Sequence, residues 1–344
     1  MNAIKVIGID LAKSVFQVCV WMNDGSIAFN RKVSRAKLLD CIRQFPAGSI
    51  VAMEACATSH YWGRTFQLMG FIVRLIPTQH VKALAHHQKN DANDALAICE
   101  TALRPGIHFV AVKTIEQQDI KALRSARQLM VEQRTALANQ ARSLAAEQGI
   151  EIPVGIHVLQ HRLPDIIEDA EQLISPVLRQ LLHSLLENIY SLNERILTIE
   201  HSLAALCQQQ PKYKVLMTIP GIGPLIAAAF LSEVNAEQFS NGRQLSAWCG
   251  LVPRQRSSGG KSSLSSMTKN GNRGLRTLII HGARSVMHWA HKRDDALGIW
   301  LKCLTDRRGK MKATVALANK LTRIVWRLLT ESTSFNINRA FAMS

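Results

Sequence analysis

The sequence predicts an α/β layer with a mixed sheet at its start and a mainly α-helical remainder. Three observations carry this. Residues 4–33 hold three strand-like runs in succession, and residues 36–103 then alternate helix, strand, helix, strand, helix. Between residues 178 and 206, leucine and isoleucine recur at alternating spacings of four and three, the signature of a long helix with one apolar seam. Beyond Pro211 the apolar periodicity is helical and strongly basic.

IKVIGID (4–10) is a short apolar run ending in a carboxylate and reads as a buried strand. SVFQVCVWM (14–22) and SIAFNRKV (26–33) flank Asn23-Asp24-Gly25, residues suited to a tight hairpin turn. A short helix (36–44) leads to SIVAMEA (49–55), a second apolar strand with a carboxylate at its end. A helix (59–69), the strand FIVRLIP (71–77) and a helical pattern over 79–103 complete the layer. Residues 115–148 read as a long basic helix, and a Pro/Gly break at 153–164 precedes the helix with the heptad seam. That seam fits a coiled coil between copies of the chain or an intramolecular hairpin against 115–148. In the last segment, TIPGIGPLIAAAFLSEV sets Gly221-Ile222-Gly223 between two helical stretches. Residues 242–252 then read as helix, and 273–292 and 311–330 as basic helices. These shifts divide the chain at 1–112, 113–210 and 211–344.

The 344 residues carry a formal charge of +17. Residues 211–344 alone hold 21 Lys/Arg against six Asp/Glu. Such a surface gains affinity for polyanions by releasing counterions, which points to nucleic acid. The seven cysteines are scattered with no CxxC pair, so neither a disulfide frame nor a zinc site is expected. The histidines lack ligand spacing too, and His86-His87 read as surface or RNA-contacting. An Asp by residue 10 argues against a signal peptide, and no uncharged apolar run is long enough to span a bilayer. The expected setting is cytoplasmic, with no membrane partner.

Asp10 and Glu54 each end an apolar strand, and carboxylates gathered there share one edge of the sheet. Asp91 and Asp94 are three apart on a predicted helix and so face one side. Four convergent carboxylates with no Cys or His among them suit Mg²⁺ or Mn²⁺. Two such ions activate a nucleophile and stabilise a leaving oxygen at phosphorus. Taken singly, each of the four also fits a strand-end turn or a helix N-terminus.

The order strand-Asp, strand-Glu, DxxD-helix resembles the RNase H-like fold of RuvC-type Holliday-junction resolvases. GIDLAK (8–13), MEACATSHYW (53–62), KNDANDA (89–95), IPGIG (219–223), CGLVPRQRSSGGK (249–261) and LIIHGAR (278–284) together resemble the DEDD, or Piv-like, transposases of the "IS one-ten" insertion-sequence family. The EACxxxHYW wording is similar to its "IS eleven-eleven" branch. The resemblance implies an RNase H-like domain whose Asp10, Glu54, Asp91 and Asp94 bind Mg²⁺, a coiled coil, and a C-terminal transposase domain with a serine nucleophile. It also implies a noncoding bridge, or seeker, RNA that pairs with donor and target DNA. Dimers assembling into tetramers, a composite site and a nucleoid-associated location come with it.

RQRSSGGKSSLSSMTKNGNRG (254–274) holds seven Ser/Thr, four Gly, five cations and no acid. Recombination has to store the energy of the broken phosphodiester, which a covalent serine–phosphate link does. The stretch reads as a flexible active-site loop with Ser257 or Ser258 as nucleophile, the choice between them staying open. Arg254, Arg256, Lys261, Lys269, Arg273 and Arg276, with Lys13 in the first domain, are the expected nucleic-acid contacts. Gly221 and Gly223 resemble a helix-hairpin-helix turn offering backbone N–H groups to a phosphate; a plain helix–turn fits as well. Two other functions suit the same residues: a resolvase-type nuclease without a covalent intermediate, and a non-catalytic nucleic-acid-binding protein.

Overall fold

The computed structural model describes residues 3–84, 90–258, 261–331 and 333–342. His86-His87 and Gly259-Gly260 lie outside the described residues, as do the side chains of Ser258 and Lys261. The chain forms two compact units, Met1–Ile115 and Glu116–Ser344.

In the first unit β1 (Ile4–Asp10), β2 (Val15–Met22) and β3 (Ile27–Ser34) form an antiparallel meander. α1 (Leu38–Arg43) leads to β4 (Ile50–Glu54), and α2 (Ser59–Leu68) to β5 (Ile72–Ile76). Both later strands run parallel to β1, giving a five-stranded mixed sheet of order β3-β2-β1-β4-β5. Because strand side chains alternate, each strand feeds two cores. Ile7, Ile9, Phe16, Val18, Val51 and Met53 pack on Leu38 and Ile42 of α1 and Trp62 and Phe66 of α2. Val6, Cys19, Ala52 and Ile76 pack on the opposite face against α3 (Thr78–Leu84) and α4 (Asp91–Leu103). Burial on both faces explains why β1 and β4 are apolar runs instead of alternating patterns.

The second unit opens with two long helices, α5 (Ile115–Ala146) and α7 (Pro176–Gln208). Of the two arrangements the heptad allows, the chain itself covers the seam. Leu182, Leu185 and Ile189 are buried against Ala138, Ala141 and Ala145 of α5 and Leu159 and Leu163 of α6 (Ile156–Glu168). Alanines on α5 let the helices approach closely. Arg127 to Glu200 at 2.6 Å and Arg134 to Asn193 at 2.6 Å fix an antiparallel register. Pro164, expected to mark a break, lies inside α6. The Gln160 carbonyl that its missing N–H cannot reach accepts a hydrogen bond from the Tyr190 hydroxyl, 3.3 Å away.

The rest of the unit is α8 (Pro211–Met217), α9 (Pro224–Glu233), α10 (Gly242–Trp248), β6 (Pro253–Ser258), β7 (Lys261–Met267), α11 (Arg273–His288), α12 (Ala296–Arg308), α13 (Lys310–Thr330) and α14 (Ile337–Ala340). Leu203 and Cys207 of α7 and Ile120 of α5 join the buried side chains of α8, α9, α11, α12 and α13 in one core. Among the described residues no helix is long and apolar enough to cross a membrane.

Candidate active site

Asp10 and Glu54 close two adjacent parallel strands. The β1–β4 register pairs Ile7 with Val51, Gly8 with Ala52 and Ile9 with Met53, and so sets Asp10 level with Glu54. Both fall on the α4 face, because Gly8 and Ala52, two residues earlier, lie under α4. An added Cβ at Gly8 would sit 2.5 Å from Cys99 Sγ and 2.7 Å from the Ala95 carbonyl oxygen. Asp94 directly precedes that Ala95. Asp91 and Asp94 continue the helical stripe of Ala95, Ile98, Cys99 and Ala102 that packs on the sheet. Asn90 caps the helix, its side chain accepting from Asn93 N at 2.8 Å.

Partial desolvation, then the negative charges of Glu54 and Asp10, push the Cys56 thiol above its ordinary range. Asp91 is in an exposed ion pair with Lys32 of β3 at 3.0 Å. Among the described residues no three His, Cys, Asp or Glu side chains stand close enough to hold a metal ion together. The donor set, oxygen only, fits a hard divalent cation.

Two residues that the sequence reading passed over tie this corner together. Gln17 of β2 is the register partner of Asp10 and is 5% exposed. Its Nε2 donates to Asn30 Oδ1 at 2.6 Å, and Asn30 Nδ2 donates to the Ala92 carbonyl in the first turn of α4 at 2.9 Å. The relay pins the DxxD turn to the sheet. The Gln17 Oε1 is buried with no hydrogen-bond partner. A glutamine within the apolar run VFQVCV was the available signal.

The serine stretch is a β-hairpin, not a loop. Pairing runs from Pro253–Met267 at the base to Ser257–Ser262 and Ser258–Lys261 at the tip. In the sequence the two strands are separated by Gly259-Gly260, a strong hairpin signal that composition had masked. Arg254, Gln255, Arg256 and Ser257 are exposed, so the ribbon has no core of its own. Ser257 Oγ accepts from Gln255 Nε2 at 2.8 Å; strand alternation sets Arg256 on the other face.

An isolated two-stranded ribbon is marginal in water, so its base must be held. Thr268 N donates to Val252 O at 2.9 Å and Arg254 to the Thr268 carbonyl at 3.3 Å. Asn272 caps α11 through Leu275 N at 2.9 Å, and its amide donates to Glu233, which also pairs with Arg124 at 2.5 Å.

Two transposase models match the chain, one of the DEDD IS110 type over residues 7–147 and one described as "Transposase IS116/IS110/IS902 family" over residues 213–297. The chain is 40% identical to the transposase for insertion sequence element IS1111A of Coxiella burnetii, over 97% of this chain and 92% of that one. It is 35% identical to the transposase for insertion sequence element IS1328 of Yersinia enterocolitica, over 98% of this chain and 100% of that one. The chain belongs to the IS110/IS116/IS902 family of DEDD transposases. It is an enzyme acting on DNA, and the non-catalytic reading falls. Divalent-metal chemistry accompanies the DEDD type.

Within the transposase, the expected nucleic-acid contacts separate into two groups. Lys13, Arg254, Arg256, Lys269 and Arg273 are exposed. Arg276 is corrected: it is 8% exposed, and its guanidinium donates to the Cys249 carbonyl at 3.1 Å and the Asn270 carbonyl at 2.9 Å. A buried cation held by two backbone carbonyls braces the hairpin base. Gly221 is also engaged internally, since a Cβ there would lie 2.8 Å from the Gly282 carbonyl oxygen of α11. Gly223, at the N-cap of α9, has open space around it.

The Gly8 contact gives a direct test. Gly8→Ala is expected to lift α4 from the sheet and cost about 1–3 kcal/mol, as overpacking does. DNA cleavage should fall further than the loss of folded protein accounts for, because the DxxD turn moves with α4. Differential scanning calorimetry and a cleavage assay at a temperature well below Tm separate the two effects.

Proposed function

We propose that this transposase recombines DNA with two chemical centres, a carboxylate site in the first unit and a serine on the hairpin of the second. What supports this reading above all is the strand register that sets Asp10 level with Glu54, with the DxxD turn of α4 over the same sheet face. Asp10, Glu54, Asp91 and Asp94 would hold Mg²⁺, or Mn²⁺ in its place. The ion supplies Lewis-acid stabilisation of charge developing on the phosphoryl oxygens. Ser257 or Ser258 forms a phosphoserine ester: the serine Oγ–P bond forms as one P–O bond of the strand breaks. The hydroxyl proton passes to solvent or a base, and the released deoxyribose oxygen takes one up. Attack by a strand-end hydroxyl on the ester then reverses these bond changes and restores a diester. Exposed Arg256 and Lys269 suit the hairpin to a phosphate.

In this reading a noncoding bridge or seeker RNA chooses the donor and target sites, and dimers pair into tetramers. Base specificity then resides in RNA–DNA pairing and not in the protein.

The test is a covalent trap. Wild-type protein incubated with labelled element-end DNA and Mg²⁺ should leave a protein–DNA adduct that survives phenol and denaturing electrophoresis. Ser257→Ala/Ser258→Ala should form no adduct and exchange no strands while binding DNA normally. Undiminished exchange by the double variant, or free 5′-phosphate ends without an adduct in the wild type, would point to a resolvase-type nuclease. Salt provides a second expectation. If five or more phosphates are neutralised, log K for duplex DNA should fall with log salt at a slope of about −4 or steeper, measured by fluorescence anisotropy.

A further inference from the structure

The C-terminal unit holds a recess of about 870 Å³ apart from the hairpin and its serines, walled by α10, α13 and the segment 333–340. Its floor is one face of α13. Lys320, Arg323, Ile324, Arg327 and Leu328 follow the i, i+3, i+4, i+7, i+8 pattern that puts side chains on a single stripe. Arg243 enters from α10, where Gly242 packs against the backbone of Arg323, and Arg339 comes from α14. Five cations from three elements line the recess with no carboxylate among the lining residues. Among the described residues Arg327 alone of the five is in an ion pair, with Glu331 at 2.8 Å.

Such crowding works against the fold. Like charges three or four apart on a helix destabilise it by tenths of a kcal/mol each. Lys320 is partly buried: burial first, then the charge of Arg323, lowers its pKa, and its ammonium lies 4.7 Å from the Trp300 ring centroid. A chain gains from keeping such a cluster when an anion completes it. The volume lies within the range of about 300–1,000 Å³ typical of ligand sites. Trp326, Phe335 and Ile324 add apolar surface beside the cations, and cations with aromatic side chains in a groove are the features that bind single strands. A duplex presents its phosphates on a convex cylinder too broad for a recess of this size.

We propose that this recess binds a short run of consecutive phosphates of a single nucleic-acid strand, with Arg243, Arg323 and Arg339 as the phosphate contacts. The inference rests on the chain's being a nucleic-acid-acting transposase, and is independent of the serine chemistry.

The full-length variant Arg243→Ala/Arg323→Ala/Arg339→Ala tests it, against a mixed-sequence single-stranded RNA, DNA of the same sequence, and a duplex. Each single-strand phosphate contact contributes about 0.7 to the salt slope, so losing three should flatten it by about 2. Single-strand affinity should fall on the order of 100-fold at low salt, the slope on duplex should hold, and the triple Arg→Lys variant should keep most of both. Thermal unfolding of the variants within a few degrees of wild type keeps the comparison fair. Loss on both strand types supports a backbone site, and loss on RNA alone supports it with RNA as the source. An unchanged slope on single strands, a loss confined to duplex, or equal displacement of the strand by pyrophosphate overturns the proposal. Adduct formation in the covalent trap is read separately. The variant leaves the serines and carboxylates intact, so an adduct with an unchanged slope refutes the recess alone. A changed slope with no wild-type adduct refutes the serine alone.

Discussion

Asp10→Asn is expected to reduce strand cleavage at least about 10³-fold while leaving DNA affinity within a few-fold of wild type. The substitution preserves shape and removes one charge. Asp10 closes a central strand, level with Glu54 on the neighbouring strand and beside the buried Gln17. Losing one carboxylate from a divalent site forfeits several kcal/mol of transition-state charge stabilisation, and each 1.36 kcal/mol is a factor of ten in rate. The effect on folding should have the opposite sign. Asp10 and Glu54 repel each other without a cation between them, so the variant should melt at or above the wild-type temperature in metal-free buffer. A cleavage assay over a Mg²⁺ titration and a melt in chelator check both halves. Retained cleavage would remove Asp10 from the chemistry. A lower melting temperature would mean that the carboxylate is held by structure and not by a metal.

The carboxylates were legible because each obeys a local rule. A charged residue at the end of an apolar run marks a strand's exit from the core, and a spacing of three marks a helix face. That Asp10 stands level with Glu54 depends on something no local rule states, the pairing of β1 with the non-consecutive β4. The relay from Gln17 through Asn30 to α4 was invisible for the same reason, since it joins three elements whose adjacency only the sheet order defines. The serine stretch failed differently. Its composition is that of a slack linker, and the backbone pairing of Pro253–Ser258 with Lys261–Met267 outweighs what side chains alone suggest. Arg276 was misread because a charge in a basic helix looks like surface. What buries it is a pair of carbonyls exposed by tight turns at Gly250 and Gly271, a detail of backbone geometry. Along α7 the heptad was plain and the helix over 115–148 was one of the two partners it allowed, but alanines on α5 carry too little apolar signal to decide between them.

Those turns carry the second large expectation. Gly271 has φ +75°, and a Cβ there would overlap the Trp248 carbonyl oxygen. Trp248 and Asn270 flank the entry and exit of the hairpin, so the backbone closes on itself where the ribbon leaves the core. Gly271→Ala should therefore meet two costs: about 1 kcal/mol for an L-residue in the left-handed region, and about 1–3 kcal/mol for the overlap. At about 2–4 °C per kcal/mol for a unit of this size, Tm should drop by roughly 5–15 °C. Gly149→Ala is the control, because Gly149 has the same φ of +75° with nothing within 4 Å of an added Cβ. It meets the first cost only. If calorimetry gives the two variants equal losses, the close approach at the hairpin base is absent in solution. If Gly271→Ala loses more, and serine-adduct formation falls with it below the melting range, the hairpin's base is what holds the hydroxyls where they react.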